Sequence, residues 1–289
     1  MKKHPFKITY LPALILSAAI LFSCSSPPVY AADPDETPWY EANRIVAHAL
    51  GSIDGRLESN SAEAFHATYA RGQRVFEVDL NLTSDGALVA RHDFEQDSYY
   101  TLEQSIPPSG QVMDKKTFLN TPIMGIYTPV DISVIAGWMK EQDDMWIITD
   151  TKETDPDAIK KQFTLLREAF NSDGRLDRVV VQLYNYGMYD IVNEIYPFKN
   201  YILTLYQLAE RDYDVIGSFC AEHDVAVVTM PSSIASAETT ALLRSYGLRV
   251  FTHTVNRITT MKTMLFYALC DGFYSDYVTD PELEKFLDQ

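Results

Sequence analysis

The chain has 289 residues, 46% hydrophobic and 22% charged, and its 40 acidic against 24 basic residues give a formal net charge of −16. The apolar content is enough for a substantial core. The acidic balance excludes nucleic acid as a partner and argues against charge-driven adsorption to an anionic membrane.

Lys2, Lys3 and Lys7 precede an apolar run of 15 residues, Ile8 to Phe22, which is followed by small residues. The run is short for a transmembrane helix and has the layout of a secretory signal peptide over 1–23. Leu21-Phe22-Ser23-Cys24 resembles a bacterial lipobox with Cys24 as the lipidated residue, although Phe22 is bulkier than that motif usually holds. Ordinary cleavage after Val29-Tyr30-Ala31 is the competing reading. Either way the protein is exported, as a membrane-anchored lipoprotein or as a periplasmic or secreted protein. Membrane contact is then expected only through the N-terminal anchor. Loss of the three lysines before Cys24 takes the charge from −16 to −19. Residues 24–43, rich in Pro, Ser and Asp, read as a tether, and 44–289 as one α/β domain. Cys220 and Cys270 suit either a disulfide of an exported protein or two buried thiols.

The domain opens with a short β-branched strand, Ile45 to Ala47, running into His48. Asn60 to Arg71 reads as a helix stopped by Gly72. Val75 and Phe76 lead a second strand into Glu77, Val78 and Asp79. Residues i and i+2 of a strand share a face, so Glu77 and Asp79 point together. Ser84-Asp85-Gly86 signals a tight hairpin. The run Ala87 to His92 therefore folds back antiparallel and carries His92 beside Glu77 and Asp79. Two carboxylates on one face of a buried strand repel each other and resist losing water. A hard divalent cation, Mg²⁺ or Ca²⁺, removes that conflict, and two nearby histidines can exchange protons near neutral pH.

Phe94 to Pro129 has no clear periodicity and reads as an insertion over the site, with Tyr99, Tyr100, Phe118, Ile126 and Tyr127 available either to line it or to pack the insertion down. Asp131 to Gln142 is a helix. Met145 to Lys152 is a buried strand on which Asp150 and Lys152 share a face. After it the pattern alternates: helix 158–170, strand 179–184 ending in Gln182 and Tyr184, helix 186–195, strand 201–206, helix 213–222, strand 225–230, helix 237–246 capped by Ser236, strand 249–256, helix 258–269 and strand 273–275 with Asp276 at its end. Without the hairpin strand there are eight strands separated by helical or crossover segments. That count predicts a parallel TIM (β/α)8 barrel with the hairpin and irregular insertion after its second strand, and with the polar strand ends meeting at one mouth.

In order and spacing these motifs resemble the glycerophosphodiester phosphodiesterase family, within the phosphatidylinositol phospholipase C-like phosphodiesterase superfamily. His48 matches the first histidine of H-R-G. Asn60, Ser61, Ala64 and Phe65 match N-T-x-x-A-F, and Glu77 and Asp79 match E-x-D. Thr83, Asp85 and Gly86 match T-x-D-G, and His92 and Asp93 match H-D. Asp150 and Lys152 stand where the family has E-x-K. Val250 to Asn256 is similar to v-x-v-W-T-V-N with His253 at the Trp, and Asp271 to Asp276 to D-G-I-I-T-D. The resemblance covers about Arg44 to Asp276.

Two departures stand out. Ala49 replaces the Arg of H-R-G, a usual phosphate contact. Ser59 aligns with the Glu of P-E-N-T, a usual metal ligand, although Glu58 is adjacent. Asp54 in the same loop suits a turn or a contact to hydroxyl or metal. The remaining Glu77, Asp79 and Asp150 set, with its D-x-K, is similar to the sphingomyelinase-D-like branch.

The resemblance implies one Mg²⁺ or Ca²⁺ held by Glu77, Asp79 and Asp150, His48 and His92 as catalytic acid and base, and Lys152, Asn60, Gln182, Tyr184 and His253 around a small phosphodiester or lipid head group. It implies hydrolysis of glycerophosphodiester-like substrates. The alternatives are a phospholipase acting on intact phospholipid and a non-catalytic barrel binding a phosphorylated ligand.

Overall fold

A computed structural model describes residues 37–171, 174–208 and 210–289. The signal peptide expected over 1–23, the lipidation expected at Cys24 and most of the tether lie outside the described residues. Among the described residues no helix is long and apolar enough to cross a membrane.

Nine strands follow one another: β1 (Ile45–Ala47), β2 (Val75–Leu82), β3 (Leu88–Ala90), β4 (Trp146–Asp150), β5 (Val179–Leu183), β6 (Asn200–Thr204), β7 (Val227–Pro231), β8 (Arg249–His253) and β9 (Gly272–Ser275). All except β3 are parallel neighbours in the order β1-β9-β8-β7-β6-β5-β4-β2, and the pairing of β1 with β2 closes the ring. This is the eight-stranded barrel that the sequence predicts. Helices such as Pro156–Phe170 and Tyr213–Glu222 connect the strands on the outside. Asp155, Asn185, Asp212 and Ser236 each accept a backbone N–H at a helix start, which satisfies donors that the helix itself leaves open.

The hairpin is also as expected. β3 runs antiparallel to β2 with Leu80 opposite Ala90. Its turn works because Gly86 takes φ +78° while the Thr83 hydroxyl donates to Asp85 Oδ1 at 2.6 Å.

Three readings differ from the structure or are settled by it. The tether ends before Asn43: Trp39–Ala42 is a helical turn, and Trp39 is buried edge-to-face on Phe251, 5.8 Å between ring centres, among the side chains at the amino-terminal end of the barrel. The insertion is not irregular throughout. It holds helices Gln96–Thr101 and Lys115–Asn120 and two small cores of its own. Tyr99, Phe118 and Tyr127 pack those cores, whereas Tyr100 and Ile126 are 86% and 70% exposed. The buried Arg91 anchors this packing, with its guanidinium over the Phe94 and Tyr99 rings and a 2.7 Å hydrogen bond to Gln104 Oε1. Finally, Cys220 and Cys270 are both buried free thiols.

The ring closes at a short seam, where β1 and β2 meet with Ala47 against Phe76. Gln73 braces it from inside. Its Nε2 donates to Ile45 O at 2.7 Å, Val75 O at 3.0 Å and Asp280 Oδ2 at 3.3 Å, and its Oε1 accepts from Asp280 N at 3.0 Å. Asp280 Oδ1 in turn accepts from Arg44 N and Ile45 N. Truncating Gln73 leaves several buried polar groups without partners. Gln73→Ala is expected to lower unfolding free energy by about 2–3 kcal/mol, read by urea denaturation; a loss below about 0.5 kcal/mol contradicts the bracing role.

Candidate active site

The inner face of the barrel changes character from one end to the other. Val46, Val75, Ile148, Val180, Phe251 and Tyr274 form an apolar layer above Trp39. Two residues further along the same face stand His48, Glu77, Asp150, Gln182, His253 and Asp276, followed on β2 by Asp79. The period of two that puts the first set inside puts the second there as well. Because the strands are parallel, all the polar members collect at the carboxyl ends. Register makes the meeting close: Asp79 lies beside Asp150 on the adjacent strand.

Glu77, Asp79 and Asp150 offer oxygens that all lie within 4.8 Å of one another, and all three residues are buried. Each carboxylate has one oxygen fixed by the protein. Glu77 Oε2 accepts from the Ala49 backbone N–H at 2.6 Å. Asp79 Oδ2 accepts from Asn60 Nδ2 at 2.8 Å. Asp150 Oδ1 accepts from the Tyr184 hydroxyl. The second oxygens of Asp79 and Asp150 meet the Lys152 ammonium, at 3.0 Å in the case of Asp150. Among the described residues Glu77 Oε1 has no hydrogen-bond partner, although it is buried.

Burial, reinforced by Asp79, pushes the Glu77 carboxyl well above its ordinary range. Burial also raises Asp150 against the pull of Lys152. At Asp79 the burial penalty is outweighed by Lys152 and His48, and its pKa is lowered. The three groups thus hold their charge unequally. A buried orphan oxygen and a surplus of negative charge are what a hard cation relieves, so the donor set fits Mg²⁺ or Ca²⁺.

Local backbone strain positions the donors. Ala49 and Leu50 sit at φ +49° and +65°, Asn60 at +48° and Lys152 at +50°, a region that non-glycine residues seldom occupy. The kink at Ala49 aims its N–H at Glu77. The one at Asn60 lets a single amide hold both Asp79 Oδ2 and, through Oδ1, the Asp79 N–H at 3.2 Å.

His48 Nδ1 hydrogen-bonds Asp276 Oδ1 at 2.8 Å, and its Nε2 lies 4.0 Å from Glu77 Oε2. Asn256 holds Asp276 in place, donating to Oδ2 at 2.6 Å and accepting from the Asp276 N–H at 2.8 Å. Burial alone would lower the His48 pKa, but the bond to Asp276 and the fields of Glu77 and Asp79 prevail and raise it to about 10. His92, just beyond β3, is 39% exposed and bonds Asp93 through Nδ1. Its charge reaches Asp79 and helps to lower that pKa.

The expected site residues thus fall into two groups. His48, Glu77, Asp79, Asp150 and Lys152 converge, with His92 on the hairpin side. Asn60, Gln182 and Tyr184, expected to contact substrate, are buried supports instead. Asn60 grips Asp79. Tyr274 OH donates to Gln182 Oε1 at 3.2 Å, Gln182 Nε2 donates to Tyr184 OH at 3.0 Å, and Tyr184 donates to Asp150. Glu58 is exposed, and Ser59 is buried against Ser61 at 2.9 Å, so neither adds a fourth carboxylate. Asp54 accepts from Tyr127 OH at 3.1 Å. Sequence reasoning missed the roles of Ala49, Asn256 and Tyr274 and the Asp276–His48 bond.

Residues 51–120 match the model of the Glycerophosphoryl diester phosphodiesterase family. The match takes in Glu77, Asp79 and His92, while His48 and Asp150 flank it. None of the curated proteins compared with the chain matches it significantly. Solved structures share the fold. An Oleispira antarctica phosphodiesterase in complex with the product sn-glycerol-3-phosphate is similar over 85% of this chain and 97% of its own, with 14% identity and a TM-score of 0.67. A glycerophosphodiester phosphodiesterase from Parabacteroides distasonis covers 85% and 96%, with 14% identity and a TM-score of 0.65. One from Thermotoga maritima covers 85% and 97%, with 17% identity and a TM-score of 0.59.

Where the pattern that the sequence resembles reads Trp, this chain has His253. Its ring lies between Tyr206 and Tyr274, with centres 5.7 and 6.2 Å away. Burial, helped by the charge of His48, lowers its pKa to about 4. Because that lies below the ordinary histidine value near 6.5, the unfolded chain takes up the proton first as pH falls. The contribution to stability is complete above about pH 6.5 and is lost on acidification towards pH 4. His253→Phe is therefore expected to flatten the fall in melting temperature between pH 6.5 and 4. A slope equal to wild type contradicts the half-buried neutral imidazole.

Proposed function

We propose that the protein is a divalent-cation-dependent phosphoric diester hydrolase acting on glycerophosphodiester-like substrates. The observation that carries the reading is the trio Glu77, Asp79 and Asp150, held at the barrel mouth within reach of an oriented histidine, on a chain with the family's sequence pattern. The product named for the Oleispira antarctica structure, sn-glycerol-3-phosphate, supports a small phosphodiester as substrate class.

When bound at the trio, Mg²⁺ or Ca²⁺ supplies Lewis-acid stabilisation of charge on a phosphoryl oxygen. The protein's own groups do the rest. Lys152 offers an ammonium to a second phosphoryl oxygen. His48 and His92 divide the two proton transfers. One takes the proton from the attacking hydroxyl as its oxygen bonds to phosphorus. The other gives a proton to the leaving alcohol oxygen as its bond to phosphorus breaks. A neighbouring hydroxyl of the substrate attacks first and leaves a cyclic phosphate, which water then opens. Asp276, fixed by Asn256, keeps the His48 ring turned with Nε2 toward the trio. The buried chain from Tyr274 through Gln182 and Tyr184 keeps Asp150 in place.

The test is release of glycerol 3-phosphate from glycerophosphocholine by the purified protein, with EDTA and then with Mg²⁺ or Ca²⁺, beside intact phosphatidylcholine. Turnover of the soluble diester that EDTA abolishes is expected. His48→Ala and His92→Ala are each expected to lower kcat by at least about 10²-fold with melting temperature retained. Cation-independent turnover, or near-normal kcat in either variant, contradicts the assignment; turnover of the intact lipid alone shifts it to a phospholipase.

A further inference from the structure

The three carboxylates use their oxygens in a regular way. One oxygen of each is taken by a fixed protein donor: the Ala49 N–H for Glu77, the Asn60 amide for Asp79 and the Tyr184 hydroxyl for Asp150. The other oxygen of each is left facing the shared space. Lys152 Nζ satisfies two of these three, on Asp79 and on Asp150. Glu77 Oε1 remains buried without a partner among the described residues. One ammonium therefore does part of the work for which the trio is shaped.

We propose that Lys152 is the resident counter-ion of the trio, that a divalent cation displaces it, and that the displaced ammonium becomes the phosphate contact. The inference rests on the cation site proposed above. Two considerations support an exchange over simple coexistence. A +1 and a +2 charge cannot both lie in direct contact with the same carboxylate oxygens without mutual repulsion. And Lys152 is able to leave. It stands two residues beyond Asp150, past the end of β4, its side chain is 29% exposed, and a lysine carries its charge on a flexible four-carbon stem. The Asn60 and Tyr184 contacts do not depend on it, so the carboxylates keep their positions when it swings out.

The exchange has a functional consequence. With the trio free of cation, Lys152 is engaged and offers little to a phosphate. Once a divalent ion is seated, the ammonium is released at the mouth next to it. Phosphate binding is then coupled to cation binding through one side chain, and by linkage the coupling runs both ways. The exchange also explains how three buried carboxylates fold together before a cation arrives: Lys152, in contact with Asp79 and Asp150, offsets part of their repulsion.

Calorimetric titration with Ca²⁺ compares wild type with Lys152→Met. Without its internal competitor the variant is expected to bind Ca²⁺ at least about tenfold more tightly, and its cation-free melting temperature to fall by several degrees and recover on adding Ca²⁺. Equal or weaker Ca²⁺ binding by a folded variant overturns the exchange. A second measurement uses wild type alone and does not depend on the variant folding. Reductive methylation read by mass spectrometry reports whether the Lys152 amine is engaged. Its labelling is expected to rise when Ca²⁺ is added and to fall again when inorganic phosphate follows; labelling that Ca²⁺ leaves unchanged overturns the exchange. If wild type binds no divalent ion in the titration, the proposed cation site itself fails, which is a different result from normal binding without any Lys152 effect.

Discussion

Three carboxylates buried within 4.8 Å of one another are the constraint to which the barrel mouth is fitted. Such a cluster is costly to desolvate and repels itself. Every surrounding feature answers to that cost. Two positive-φ kinks bring an N–H to Glu77 and an amide to Asp79. A chain of tyrosine and glutamine crosses the barrel interior to reach Asp150. Lys152 and His48 supply the positive charge. A cluster with no function would be replaced more cheaply by a hydrophobic filling, since well-packed apolar side chains match or exceed buried ion pairs in stability. Its arrangement at the carboxyl ends of parallel strands, where barrel active sites form, makes catalysis the coherent account.

Much of this was legible in the sequence because the strand period is simple. Val75, Glu77 and Asp79 alternate with Phe76 and Val78, and the alternation alone places both carboxylates inward. The same rule would have found Asp276, two residues after the inward Tyr274, as readily as it found Asp150 two after Ile148. The Asp-Gly turn gave the hairpin, and the order of βα units gave the barrel. What remained hidden depends on conformation that no period encodes. The N–H of Ala49 reaches Glu77 only because Ala49 and Leu50 adopt left-handed backbone, and nothing in His-Ala-Leu announces that. Asn60, Gln182 and Tyr184 carry polar groups that suit substrate contact, and only their burial shows that they serve the carboxylates. In the insertion, Tyr99 and Phe118 show no helical periodicity because each sits on a helix of only six residues, too short for an apolar face to repeat, and they pack into one small core with Phe94.

The departures from the family pattern are local to the rim. The position of the missing Glu is filled by Ser59, which turns to Ser61, and the adjacent Glu58 stays in solvent. The site is therefore built around three carboxylates, with Lys152 beside them. His253 puts a neutral, half-buried imidazole where the pattern has an indole, between two tyrosines. Both changes leave His48, His92 and the trio in place while altering the shape and polarity of the barrel wall beside them.

The central claim is that the trio is a divalent-cation site whose ligands are Glu77, Asp79 and Asp150. Crystals grown with Mn²⁺ as a probe, measured at the manganese absorption edge, test it most directly. The account predicts one anomalous peak at the barrel mouth bonded to oxygens of those three residues, with the Lys152 ammonium moved off Asp79 and Asp150. A fully formed mouth without such a peak, or a peak held by other residues while Lys152 still bridges the two aspartates, would contradict it.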